Sequence, residues 1–521
     1  MATLGQGHDR HTSEQLTLKL SSDERQQGTY VIGTPGTGKT TMLRNIAIED
    51  MWNYPGEGLC VLDPHGDLTD ELLGWVPPKR VEDVVYLNPM ELEHPFGLNL
   101  LEYDRESPLR EHEMRWVVST ILETLHRLFW YSWGPRLEHV LQNTLRTALK
   151  VPDSTFVELL LLLTSRDYRE TVIGSQESVK VGDYGHLEEK DDYLLIKYWY
   201  DWFLTLNANQ RAEVTSSTIN KLSPFLLDSM MRNIIGQAKS SINLLDIMDE
   251  GKILFVNLSK GDLGENNSAL LGSVLVNLIL IAALRRRGEK YRKNKRKQFH
   301  VIVDEYQNFA NPSFSILQSE ARKFGVDLIV AHQYRDQLDQ DSRGASLNVG
   351  NVVCFRISGR DSYMLASQFD NSPPPAETKM EPAYGPWRDA PAGYELYTQY
   401  RSPGSDEPIY EEVEMQRRAY NDVEAEMANK LSTLKDYHAY CRLIRKPEPK
   451  KSELKEYYLA TNELPQVEEA KWSAEIRQAC IERSLEKYCS DRDTVEEEIY
   501  RRTGGRITAD NVPPAMEYTD M

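Results

Sequence analysis

Thr29-Tyr30-Val31-Ile32-Gly33-Thr34-Pro35-Gly36-Thr37-Gly38-Lys39-Thr40-Thr41 is a short apolar run, then a glycine-punctuated turn, then a Lys-Thr-Thr step into the helix-like Met42–Met51. Gly33 to Thr40 match the phosphate-loop pattern G-x-x-x-x-G-K-[ST] without departure. Glycines let backbone N–H groups curl around phosphate oxygens, and the positive end of the following helix points at the same place. Lys39 then reaches the β- and γ-phosphates, and the Thr40 hydroxyl ligates Mg²⁺. The residues Gly33, Thr34, Pro35, Gly36, Thr37, Gly38, Lys39, Thr40 and Thr41 are therefore read as binding a nucleoside triphosphate.

Working outward, 521 residues with 40% hydrophobic and 27% charged side chains make an ordinary globular composition. That length is enough for two to four domains and a large core. A net charge of −19 and a pI near 5.2 argue against a surface coated in basic residues. Contact with nucleic acid then requires a local concentration of Lys and Arg, such as a channel formed on assembly. Five scattered cysteines fit a reducing compartment and neither a disulfide framework nor a zinc site. Met1–Gln27 has no signal-peptide core, and Ala269–Leu284 is shorter than a bilayer requires. No integral membrane segment is expected, and the location is read as cytoplasmic.

Further strands are expected at Gly58–Leu62, Val84–Leu87, Lys252–Leu258, Phe299–Val303, Val326–Ala331 and Asn351–Ile357, with Leu16–Leu20 at an edge and Tyr437–Leu443 returning late. Strands separated by helix-length segments predict a doubly wound, mainly parallel α/β sheet. From about Pro108 to Asp249 apolar residues recur at helical spacing, which predicts an all-α insertion. Trp130, Tyr131, Trp133, Trp199 and Trp202 read as its core rather than as a base-stacking platform. The resulting division is 1–107 and 250–371 for the two parts of the sheet domain, 108–249 for the insertion, 372–446 for a linker with a late strand, and 447–521 for a helical extension and tail.

Val301-Ile302-Val303-Asp304-Glu305 is an apolar strand ending in two carboxylates. Opposite a phosphate loop, Asp304 suits the metal and Glu305 suits the base that polarises water. Gln333 ends the neighbouring strand at the edge where open α/β sheets bind ligands, and reads as a γ-phosphate sensor or a solvated strand end. Asp63, in Asp63-Pro64-His65-Gly66-Asp67, reads equally as a neighbour of the metal or as a turn residue. The basic run Arg285–Lys297 reads either as a DNA contact or as a solvated loop.

Taken together, Gly33–Thr41, Val61–Leu68, Asn99–Leu101, Trp133–Arg136, Asn220–Leu222, Asn257–Gly264, Val301–Gln307, Ser319–Gly325 and Gln333 resemble the HerA/FtsK superfamily of ring-forming DNA-motor ATPases. Within it, the similarity is greatest to the TraG/TraD-like coupling ATPases of conjugative type IV secretion. The resemblance implies a RecA-like fold, ATP and Mg²⁺ as cofactors, a hexameric homo-oligomer with DNA in its channel, and an arginine donated by the neighbouring subunit. That arginine corresponds here to Arg322, with Arg356 and Arg360 as secondary candidates for sensing nucleotide across the interface. Only 32 residues precede Gly33, so neither the membrane anchor nor the β-barrel of some relatives is expected. Two other roles remain open: a nucleotide-gated scaffold for a protein partner, such as an effector in phage defence, and a receptor for protein substrates of a secretion channel.

Overall fold

Successive side chains of a strand point to opposite faces, so a strand apolar at every position must be covered on both sides. The computed structural model describes residues 2–287, 296–310, 312–338, 343–344, 346–370, 378–382, 384–386, 397–399, 410–414, 420–448, 451–467 and 471–503. Its strands are β1 Ala2–Asp9, β2 Gln15–Leu20, β3 Thr29–Ile32, β4 Gly58–Asp63, β5 Val84–Leu87, β6 Ile253–Asn257, β7 Phe299–Val303, β8 Val326–His332, β9 Asn351–Cys354, β10 Thr378–Pro382, β11 Tyr384–Pro386, β12 Tyr397–Gln399, β13 Tyr410–Glu414, β14 His438–Glu448 and β15 Lys451–Thr461. Eleven of them form one sheet in the order β2-β1-β15-β14-β9-β3-β8-β7-β4-β6-β5. From β9 to β5 every pairing is parallel. The other four strands are antiparallel.

Alternation splits the core in two. Tyr30, Ile32, Cys60, Leu62, Val301 and Val303 face one apolar cluster, which runs on without a break through the helical insertion and the helix Glu265–Arg285. Val31, Leu59, Val61 and Ile302 face the other, against the helix Lys39–Asn53 and Cys480. The insertion thus shares its core with one face of the sheet. Among the described residues Glu265–Arg285 is the one helix long and apolar enough to cross a membrane, and it is buried inside the fold.

The insertion contains helices such as Arg110–Leu128, Pro135–Ala148 and Ala208–Leu227, with no strand between Leu87 and Ile253. Trp199 is fully buried and donates its indole N–H to Thr147 Oγ1 at 2.9 Å. Trp130 and Tyr131 depart from expectation. They sit on the short turn after Leu128 and are 73% and 72% exposed, so they do not contribute to the core.

Two further expectations are corrected. The stretch 447–521 does not begin as a helix: Lys451–Thr461 is a strand, with Tyr457 and Leu459 buried, lying between β14 and β1. Helices Ala474–Tyr488 and Arg492–Arg502 follow. Its partner β1 is polar and glycine-containing. It is held by burial of Ala2 and Leu4 and by a hydrogen bond from Thr3 N to Glu49 Oε2. In the first part of the expected linker, residues 372–393, the described Thr378–Pro382 and Tyr384–Pro386 are strands pairing with β13 and β12. The rest of 372–393 lies outside the described residues, as do residues 504–521 of the expected tail.

The described ends of the basic run are engaged in structure. Arg285 Nε donates to Glu113 Oε1 at 2.8 Å, Arg286 is buried beside Asp249, and Arg287 stacks over Phe324. Residues 288–295 of the run lie outside the described part.

At the N-terminal ends of the central strands lies a buried ionic network. Arg25 Nη1 and Nη2 donate to Asp50 at 2.5 and 2.9 Å, and Nη2 lies 3.4 Å from Asp327. His300 reaches Asp327 through Nδ1 at 2.5 Å and Glu57 through Nε2 at 2.8 Å. Burial and Arg25 oppose charge on the imidazole, but Asp327 and Asp50 outweigh them and raise its pKa to about 9. A pKa raised on folding gives stability that is complete below the unfolded value near 6.5 and is lost as pH climbs through 9. Urea unfolding at pH 7 and pH 9.5 should therefore show the wild type losing roughly 2 kcal/mol more than His300→Gln over that interval.

Candidate active site

Beyond Ile32 the chain must reverse and start a helix within a few residues, and glycine permits it. Gly36 and Gly38 have φ of 76° and 107°, left-handed values that strain any L side chain. The loop is gripped from the β9 side. Thr34 N and Oγ1 both donate to Arg356 O, at 2.8 and 3.1 Å, and Tyr437 N donates to Thr37 O at 2.8 Å. Pro35 and Gly36 stand exposed at its tip. Lys39 Nζ donates to the carbonyls of Gly33 and Thr34 at 2.6 and 3.2 Å. Burial lowers the pKa of this ammonium, while the charges of Glu305 and Asp304 work to raise it.

The sheet order sets β8 between β3 and β7, all parallel, so the C-terminal ends of the three strands share one edge. There Thr40 Oγ1 donates to Asp304 Oδ2 at 3.0 Å. Asp304 is pushed up to about 6, first by burial and then by the charge of Glu305, with Asp63 adding to it. Glu305 has φ 44°, a left-handed backbone rare outside glycine, and its N–H donates to Asp304 Oδ1 at 2.8 Å. Both of its carboxylate oxygens are held: Gln333 Nε2 donates to Oε1 and Gln307 Nε2 to Oε2, each at 2.7 Å. This leaves the Glu305 carboxylate fixed in direction beside a lysine, a hydroxyl and a second carboxylate.

The donor set suits Mg²⁺. Magnesium keeps several waters and needs only one or two protein oxygens beside substrate phosphates. Thr40 and Asp304 could supply those, and the mutual repulsion of Asp304 and Glu305 would favour a cation beside them. No cluster of three His, Cys, Asp or Glu side chains among the described residues could cage a metal by itself.

Of the remaining candidates, Asp63 serves its turn. Its Oδ1 accepts from His65 N at 2.9 Å and its Oδ2 from Thr69 N at 3.1 Å. Arg356 pairs with Asp436 at 2.7 Å, and the exposed Arg360 pairs with Asp336 at 3.1 Å. Arg322 is not brought to this site. It sits on the turn before β8, at the opposite edge of the sheet, where its Nη1 donates to Gln27 Oε1 at 2.8 Å. His332, beside Gln333, points into the core with Nε2 2.6 Å from Tyr30 Oη, and burial with Arg335 drops its pKa to about 3.

Three residues escape sequence reasoning. Gln307 lies in plain view two positions after Glu305, and an amide so close behind a strand-ending carboxylate was the available signal. Arg127, on an insertion helix, donates to Ala310 O at 2.6 Å and to Asn308 O at 2.7 Å, holding the turn that follows Glu305. Tyr437 grips the phosphate loop from far along the chain. No local signal marks either of these two.

No family model matches the sequence, and no curated protein matches it. Among solved structures, the chain is similar to the plasmid coupling protein TrwB in complex with the ATP analogue ADPNP, at 15% identity and a TM-score of 0.53 over 90% of this chain and 98% of that one. It is similar also to the bacterial conjugative coupling protein TrwB lacking its N-terminal segment, in a trigonal form with sulphate, at 15% identity and a TM-score of 0.54 over 88% and 93%. The fold is shared across nearly the whole chain.

A carboxylate forced to ionise against burial and a like-charged neighbour costs stability. Asp304→Asn removes the charge while its amide oxygen can still accept from Glu305 N and its NH2 can donate to Thr40 Oγ1, so without nucleotide it should unfold at higher urea than the wild type at pH 7. The gain should reach at most about 3 kcal/mol, the ceiling set by a shift from 3.8 to about 6.

Proposed function

We propose that the chain is an ATP-hydrolysing motor of the HerA/FtsK type that assembles into a ring of six copies and translocates DNA as the conjugative coupling ATPases do. The observation that carries this reading is the meeting of Lys39, Thr40, Asp304, Glu305 and Gln333 at one sheet edge, with Glu305 held on both oxygens. The shared fold adds support, since TrwB is described with both an ATP and a GTP analogue.

In this reading the phosphates lie in the Gly33–Thr41 loop, and Lys39 leaves the loop carbonyls to meet the β- and γ-phosphates. Mg²⁺ held by Thr40 and Asp304 would offset the negative charge of those phosphates. Glu305 accepts a proton from the attacking water while Gln333 and Gln307 fix the direction of its lone pairs. Arg322 completes the site of the next subunit, its planar, permanently charged fork stabilising the transferring phosphoryl group. Closing and opening of subunit interfaces would then move DNA through the channel.

Glu305→Gln should lower ATP turnover by 10²-fold or more while leaving ATP binding intact, measured by phosphate release and by titration calorimetry. Full turnover in that variant would refute the base assignment. Lys39→Ala and Arg322→Ala subunits should each be inactive alone and regain part of the activity when mixed, because only mixed interfaces then contain one intact shared site. Stimulation of the wild-type ATPase by DNA tests the coupling.

A further inference from the structure

Residues Leu434–His438 lead into β14 and lie against the phosphate loop. Tyr437 is fixed from both sides, its N–H donating to Thr37 O and its carbonyl accepting from Thr461 N, each at 2.8 Å. Arg356 anchors the same turn through Leu434 O at 3.2 Å and Asp436 Oδ1 at 2.7 Å. The backbone of Tyr437 is left-handed, φ 63°, an outlier for an aromatic residue. Its ring lies on Gly38: a Cβ there would come within 2.9 Å of Tyr437 Cδ1 and 3.1 Å of its Cα. Even so, 47% of Tyr437 remains exposed.

Strained, pinned and half open is a costly arrangement for an aromatic that only fills space. Sheet topology gives it a use. β7, which carries Asp304 and Glu305, lies on one flank of β3, while β9 and β14 lie on the other. A nucleoside triphosphate laid across the loop with its γ-phosphate toward Glu305 directs its nucleoside toward β14, where Tyr437 stands. We propose that Tyr437 is the stacking ledge for the nucleobase of the bound triphosphate. The proposal rests on the phosphate-loop reading above. Stacking uses the π-face that every base has, so the ledge favours a base over none without choosing adenine over guanine.

The test is titration calorimetry of the full chain with Mg²⁺ and two probes, ATP and tripolyphosphate, the latter having no base. The variants are Tyr437→Phe, Tyr437→Ala and Tyr437→Gly; glycine is at ease in the left-handed backbone and guards against an alanine variant that misfolds. Loss of the ring should weaken ATP about tenfold or more and leave tripolyphosphate unchanged, with phenylalanine close to wild type and GTP within a few-fold of ATP. Unchanged ATP affinity in the alanine and glycine variants overturns the ledge and leaves the phosphate site standing. Equal weakening of both probes also overturns it, making Tyr437 a prop for the loop. A wild type that binds neither probe removes the phosphate-loop reading, and the ledge with it.

Discussion

One hydrogen bond, from Thr40 Oγ1 to Asp304 Oδ2, joins two pieces of chain 264 positions apart and sets what the rest of the fold must do. Thr40 heads the helix after β3, and Asp304 ends β7, with β8 between them. For the two to meet, three parallel strands must end within two residues of one another, in the register that pairs Ile32 with His332 and Val303 with Val330. A slip of one residue would turn Asp304 toward the opposite face, since side chains alternate. Because β7 and β8 are buried on both faces, it is the close packing of their side chains into the two core clusters, not an apolar–polar alternation, that holds the register. In this sense the two core clusters are what hold the active-site geometry.

The opposite edge of the same strands carries charge of another kind. Arg25 and His300 offset most of the charge of Asp50, Asp327 and the half-buried Glu57, whereas Asp304 and Glu305 are like charges left side by side. A network of mutually satisfied charges stabilises the chain only while every member is present. Asp304 and Glu305 are hydrogen-bonded at every oxygen, but their charges still repel each other. The helix Lys39–Asn53 spans both, with the phosphate loop at its start and Asp50 near its end. At 1.5 Å per residue it is a rod of about 22 Å.

The parallel sheet, the phosphate loop and the Asp304–Glu305 strand end were legible because each depends on local pattern: buried strands, glycines at required turns, a polar break after an apolar run. The flank beyond β9 was legible only in part: Leu16–Leu20 and Tyr437–Leu443 read as an edge strand and a late strand, but β1 and β15 did not. β1 has almost no strand pattern and exists because β15 offers it an edge, and β15 reads as charged, Lys451-Ser452-Glu453-Leu454-Lys455-Glu456, except where Tyr457 and Leu459 turn inward. Tyr437 meets Gly38 across roughly four hundred residues, and nothing near either residue announces the contact. Trp130 and Tyr131 mislead in the other direction, because aromatic content alone does not say whether a turn faces the core or solvent.

Arg322 and Gln333 stand at opposite edges of the sheet. Arg322 precedes β8 while Gln333 follows it, and seven strand residues at about 3.3 Å each separate them by more than 20 Å. An arginine side chain reaches nowhere near that far, so Arg322 cannot serve the phosphate loop of its own chain without dismantling β8. Either it has no part in hydrolysis, or it serves a loop in another copy. If the second holds, each subunit offers a nucleotide site at one edge and the missing cation of its neighbour's site at the other, with Gln27, just ahead of β3, bound to that cation. A head-to-tail interface of this kind is heterologous, and it closes only as a ring or runs on as a filament. The ring is therefore the closed assembly in which every Glu305 would find an Arg322.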